Sequence, residues 1–169
     1  ALAARGIGTV SDTLSTKALM DFVYVILAGG AATLAMTVFS YLVSNIFSKR
    51  YREPLLLNYM IRGSESMEKV GKRSYWGYII HFAIGWILAF LFYFLLEIDL
   101  TELNLRSGLI FGFISGIIGS IAWFIFFKTN SNPPKIHLGG YFFQLILAHI
   151  IFGATLSWVL FILYQGHGY

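Results

Sequence analysis

The chain has 169 residues, of which only 12% are charged, about half the usual share of a soluble domain. Hydrophobic residues make up 57% and mean hydropathy is +0.73, more apolar surface than so short a soluble chain is able to cover. The absence of cysteine excludes disulfides, thiolate metal centres, iron–sulfur clusters and a cysteine nucleophile.

Residues 1–21 are rich in Ala, Ser and Thr and carry Arg5, Asp12, Lys17 and Asp21. They lack the apolar run of a secretory signal and are expected to form an N-terminal segment outside the cytoplasm. Beyond them, no Asp, Glu, Lys or Arg occurs in 22–48, 74–96, 107–127 or 136–169, stretches of 27, 23, 21 and 34 residues. A helix needs about 20 apolar residues to cross a hydrocarbon core of ~30 Å, and all four qualify. The runs are continuously apolar rather than alternating, which excludes transmembrane strands. The predicted class is therefore all-α, a polytopic four-helix membrane bundle with helices near 22–47, 75–96, 107–127 and 141–164. Aromatic residues such as Phe22, Tyr51, Tyr75, Trp76 and Tyr164 mark the predicted ends as depth anchors.

The first helix carries Thr33, Thr37, Ser40 and Ser44, whose spacings of four, three and four place them on one face. Such a stripe is a packing seam of interhelical hydrogen bonds or the polar lining of a path for a solute or a proton. The 48–74 connection follows, with Lys49, Arg50, Arg52, Arg62, Lys69, Lys72 and Arg73. Within it, Glu53-Pro54 opens an apolar run that reads as a short helix lying in the membrane interface.

His81 in the second helix and His149 in the fourth are the ionisable groups inside the predicted spans, and each is followed four residues later by glycine, Gly85 and Gly153. Aligning the histidines also superposes Leu88 on Leu156 and Leu95 on Leu163, the sign of two parallel two-helix repeats. Neutral imidazoles that bond neighbouring helices are one reading of the pair. Axial ligation of haem b, with the glycines leaving space for the porphyrin and His81 and His149 touching metal only through its iron, is a second. A proton relay or ion site is the third, since histidine titrates near neutrality. No Asp or Glu falls within the predicted spans, which counts against proton-coupled transport.

The connection between the second and third helices holds Glu97, Asp99, Glu102 and Arg106, and the third helix carries Gly108, Gly112, Gly116 and Ser120 at spacings of four, with Gly119 beside them. This stripe of small residues lets another backbone approach closely, within the bundle or in a second subunit. Asn130-Ser131-Asn132-Pro133-Pro134 is a stiff turn, and His137 and His167 lie outside the spans. With the first and third connections in the cytoplasm, nine basic residues face inward and three outward, so both termini are expected outside. The basic connection suits anionic lipid headgroups rather than nucleic acid. No motif of a hydrolase, phosphate-binding loop or dinucleotide fold appears.

The segments Gly29-Gly30-Ala31-Ala32-Thr33, His81-Phe82-Ala83-Ile84-Gly85 and His149-Ile150-Ile151-Phe152-Gly153 resemble the small bacterial inner-membrane proteins of the YagU-like kind. The resemblance implies a fold and a bacterial inner-membrane setting, and it brings no chemistry with it. The leading functional expectation is a non-catalytic membrane component, an accessory subunit that packs with other membrane subunits or with a second copy. A haem b electron-transfer protein and a small solute or proton pathway are the alternatives.

Overall fold

The structure, a computed structural model, describes residues 2–47, 51–62, 74–130, 133 and 135–166. Lys49, Arg50, Lys69, Lys72, Arg73, much of the 130–134 turn and His167 lie outside the described residues, as do the side chains of Arg5 and Arg62. Among the described residues five helices form: α1 (Leu2–Ile46), α2 (Glu53–Arg62), α3 (Trp76–Glu97), α4 (Leu105–Thr129) and α5 (Leu138–Gln165). Ser15–Ile46 of α1 and the whole of α3, α4 and α5 are long and apolar enough to cross a membrane, so the chain is an all-helical bundle of four such helices with one short helix.

α1 begins about 20 residues before its expected start at 22. Its first half is Ala- and Leu-containing, and no proline precedes Pro54, so nothing interrupts the helical hydrogen bonds. At 1.5 Å per residue, 45 residues extend about 68 Å, roughly twice the thickness of a hydrocarbon core. Asn104 caps α4 by accepting from the Ser107 N–H at 2.8 Å. His137 caps α5 in the same way, its Nδ1 accepting from the Gly140 N–H at 3.0 Å.

α1 and α5 form the central pair; α3 packs on α1 and α4 on α5. Val25, Ala28, Ala32 and Met36 of α1 meet Ala89 and Phe92 of α3 and Ala148, Phe152, Leu156 and Leu160 of α5 in one apolar core. Phe92 and Phe111, 5.0 Å between ring centroids, link α3 to α4. The outward faces of α3 and α4 carry exposed Ile79, Ile87, Leu91, Ile114, Ile118 and Ile121, as faces turned to lipid should.

The short helix expected after Glu53-Pro54 forms as α2 and packs against the bundle. Tyr51, Leu56 and Met60 are buried against Phe127, Tyr141 and Leu145, so this helix closes one end of the bundle. Polar bonds fix it there. Asn58, fully buried, donates to the Ser74 carbonyl at 2.6 Å and accepts from the Gly77 N–H at 2.7 Å. Asn130 donates to the Met60 carbonyl at 3.2 Å. The Asn58 bonds tie α2 to the start of α3.

Candidate functional site

All four hydroxyls of the α1 stripe are buried and turned into the bundle. Two of them bond back along their own helix: Thr33 donates to the Gly29 carbonyl at 2.7 Å, and Thr37 to the Thr33 carbonyl at 2.6 Å. Because the Thr37 proton is spent in that bond, its oxygen accepts from His81 Nε2–H at 3.0 Å. The His81 proton therefore sits on Nε2. Ser40, one turn on, donates to Glu53 Oε1 at 2.9 Å.

Glu53 is the residue that the sequence did not mark as a site. It stands first in α2, and the closure of the bundle by α2 carries it inside, leaving it 2% exposed. Glu53 lies outside the predicted spans, which hold no Asp or Glu, and reaches the bundle from α2. Gln144 of α5, also buried, donates through Nε2 to Ser40 Oγ at 2.6 Å and to Glu53 Oε1 at 3.1 Å. Burial raises the Glu53 carboxyl from 4.5 to about 7, and the bonds from its backbone, Ser40 and Gln144 pull it down only in part. Glu53 Oε2, Gln144 Oε1 and the Tyr141 hydroxyl, all buried, have no hydrogen-bond partner. Beside this cluster the hydroxyls of Tyr41 and Tyr78 bond each other, and Arg52 bonds Asn45 Oδ1 and stacks over the Tyr41 ring at 4.9 Å.

A second polar cluster occupies the opposite end. Asp21, one residue before the first charge-free stretch, is buried in α1 and accepts from Tyr164 at 2.9 Å and Tyr93 at 3.1 Å. The Tyr93 hydroxyl also lies 2.9 Å from Glu97 Oε1. The single Tyr93 hydroxyl proton faces both carboxylates, so Tyr93 links Asp21 of α1 to Glu97 of α3. Val25, Ala28, Phe92, Phe152 and Leu156 form the apolar layer that separates the two ends.

The two histidines belong to different helix pairs. His81 bonds α1, whereas His149 donates from Nδ1 to the Leu145 carbonyl at 2.8 Å, with its Nε2 edge against Gly119 of α4. The space expected beside Gly85 and Gly153 is taken. A Cβ on Gly85 would lie 2.0 Å from Thr33 Oγ1, and one on Gly153 would lie 2.1 Å from the Gly108 carbonyl oxygen. Each glycine lets its helix press against a neighbour, α3 against α1 and α5 against α4. A porphyrin there would displace α1 or α4, so the residues as arranged do not fit haem b. Among the described residues no group of three or more His, Asp or Glu side chains is placed to hold a metal ion.

The stripe of the third predicted helix packs inside the chain. Gly108, Gly112 and Gly116 lie against Ser157, His149 and Ile146 of α5, and a Cβ on Gly112 would come within 2.2 Å of the His149 carbonyl oxygen. Ser120 donates to the Gly116 carbonyl at 2.8 Å. Compared with family models, with curated proteins and with solved structures, the chain shows no match.

Proposed function

We propose that the protein conducts protons along the hydroxyl face of α1, with Glu53 as the group that takes them up at the α2 end. The supporting observation is Glu53 itself: a buried carboxyl that titrates near neutrality, bonded through Ser40 to the stripe, with one oxygen unpartnered. From Ser40 the polar face continues to Thr37, His81 and Thr33. Asp21, Tyr93, Tyr164 and Glu97 form a hydrogen-bonded polar cluster at the far end. The apolar layer between them is the gate of this proposal, because proton movement through it requires water to enter. The α2 end faces the cytoplasm of a bacterial inner membrane and both termini lie outside, a placement supported by the excess of basic residues in the first and third connections and by the YagU-like segments. An accessory-subunit role drew its support from the glycine stripe, which α5 occupies.

The test is proton flux in liposomes that hold the purified protein, an internal pH dye and an imposed pH gradient. The wild type should dissipate the gradient, Glu53→Gln should not, and Thr37→Val should be slower. Equal rates for wild type and Glu53→Gln would end the proposal.

A further inference from the structure

A groove opens on the bundle where α4 ends and α5 begins. Phe124, Phe127 and Lys128 of α4, Pro133 and Ile136 of the connection and Leu138 of α5 line about 200 Å³. All but Lys128 are apolar. Phe127 is buried, and its ring stacks on Trp123 at 5.1 Å and on Tyr141 at 5.8 Å between centroids, within the core that also receives α2. The fold therefore fixes this side of the groove, while the exposed Phe124 and Leu138 leave it open to the surroundings of the bundle. Apolar cavities of ~150 Å³ stay dry and take a benzene-sized molecule, so this one admits a stretch of hydrocarbon chain.

Charge decides what that chain is attached to. Lys128 is the first charged residue after the charge-free 107–127 stretch, so it stands where α4 leaves the hydrocarbon. Its ammonium lies over the Phe124 ring at 5.2 Å, and among the described residues no carboxylate pairs with it. Lys135 is exposed in the same connection. No Asp or Glu follows Glu102 in the sequence, so α4, α5 and their connection offer a ligand cationic charge alone.

We propose that this groove holds one anionic phospholipid, with part of an acyl chain against Phe127 and Leu138 and the phosphate on Lys128. The lysine stem follows apolar surface while its ammonium stays at headgroup level, the arrangement by which basic pockets between membrane helices take anionic headgroups. A zwitterionic headgroup carries its own cation beside the phosphate and gains less from Lys128. The groove is separate from the basic 48–74 connection and from Glu53, so the inference stands independently of proton conduction.

The experiment titrates the purified full chain in detergent with phosphatidylglycerol or with phosphatidylcholine of the same acyl chains, and native mass spectrometry counts the lipids retained. The first phosphatidylglycerol should bind at about fivefold lower concentration than the first phosphatidylcholine, the preference that one lysine confers near a membrane surface. Lys128→Gln should abolish that preference and Lys128→Arg should keep it. Leu138→Trp fills the groove and should weaken the first lipid of either kind by about tenfold, the worth of two buried methylenes. Lys128 and Leu138 are both exposed, so these substitutions leave the core intact. Equal affinity of the wild type for the two lipids overturns the inference. A preference that survives Lys128→Gln does so too, since it would lie with other basic residues. Unchanged binding in Leu138→Trp overturns the groove as the place of the acyl chain.

Discussion

Ser40 of α1 donates to Glu53 of α2 at 2.9 Å, and this one bond joins a membrane-spanning helix to the short helix that closes the bundle. The bond brings together residues 13 apart in sequence whose segments looked unrelated. It also places a carboxyl where ionisation is costly.

That cost makes stability depend on pH. The folded chain holds the Glu53 proton up to about pH 7, and the unfolded chain releases it near 4.5. Folding therefore binds a proton between these values, and stability falls as pH rises from 4.5 through 7, then levels off. The loss is roughly 3 kcal/mol, the shift multiplied by about 1.4 kcal/mol per unit. Thermal unfolding in detergent should show a wild-type melting temperature that declines across this window. Glu53→Gln keeps the shape and cannot ionise, so its profile should be flatter there. A decline as steep as that of the wild type would remove Glu53 as the cause.

Close packing of α4 on α5 gives a prediction that turns on one methyl group. A Cβ on Gly112 would sit 2.2 Å from the His149 carbonyl oxygen and 2.9 Å from the Ile150 Cα, both backbone-borne and unable to rotate away. Gly112→Ala should destabilise the bundle by about 3 kcal/mol, the upper part of the range for overpacking. Gly30 is the control, because the nearest atom to its added Cβ is Trp86 Nε1 at 3.8 Å. Gly30→Ala should be neutral or stabilising by up to about 1 kcal/mol, since alanine is the better helix former. Unfolding of the two variants side by side measures the contrast.

The four spans were legible because charge is excluded from lipid, so its absence writes their limits directly into the sequence. The hydroxyl stripe on α1 and the glycine stripe on α4 were legible for a similar reason, as fixed spacings put residues on one face without knowledge of the partner. What the partner is was not legible. Gly85 and Gly153 looked like space for a flat ligand and turned out to admit Thr33 and Gly108, because a missing side chain records proximity without saying to what. Glu53 was hidden further. Its burial depends on Ser40 and Gln144, the latter 91 residues away, and on whether α2 settles on lipid or in the bundle. Its position at the head of an apolar run with Asn58 in the middle was the signal available. Asp21 stands one residue outside the charge-free stretch, and its bonds to Tyr93 and Tyr164 join helices whose pairing the sequence does not show.

Filled space beside both glycines leads to a spectroscopic expectation. Protein purified from cells supplied with a haem precursor should show no α band in a reduced-minus-oxidised spectrum. A band that vanishes in both His81→Ala and His149→Ala would mean that α1 and α4 move apart to admit a porphyrin. The same substitution at His81 has a structural effect of its own: it removes the donor to Thr37 and should lower stability by about 1 kcal/mol, the worth of an interhelical bond in a membrane.

The seating of α2 is the relationship on which the proton proposal depends, and the chain's lack of cysteine makes it simple to measure. Leu56 is 5% exposed, so a Leu56→Cys thiol should react slowly with a water-soluble maleimide. Asn58 holds α2 down by accepting from the Gly77 N–H and donating to the Ser74 carbonyl. Replacing it with alanine leaves that N–H and carbonyl unpaired at a buried position, at a cost of roughly 1–3 kcal/mol. If α2 is held mainly by these bonds, labelling of Leu56→Cys should rise by tenfold or more in the Asn58→Ala background, following the population of the open form. Leu100→Cys, 71% exposed in the connection between α3 and α4, serves as the reference, and its rate should not change. Unchanged labelling at Leu56→Cys would show that the apolar contacts with Phe127, Tyr141 and Leu145 suffice, and that the polar bonds fix only the direction from which α3 departs.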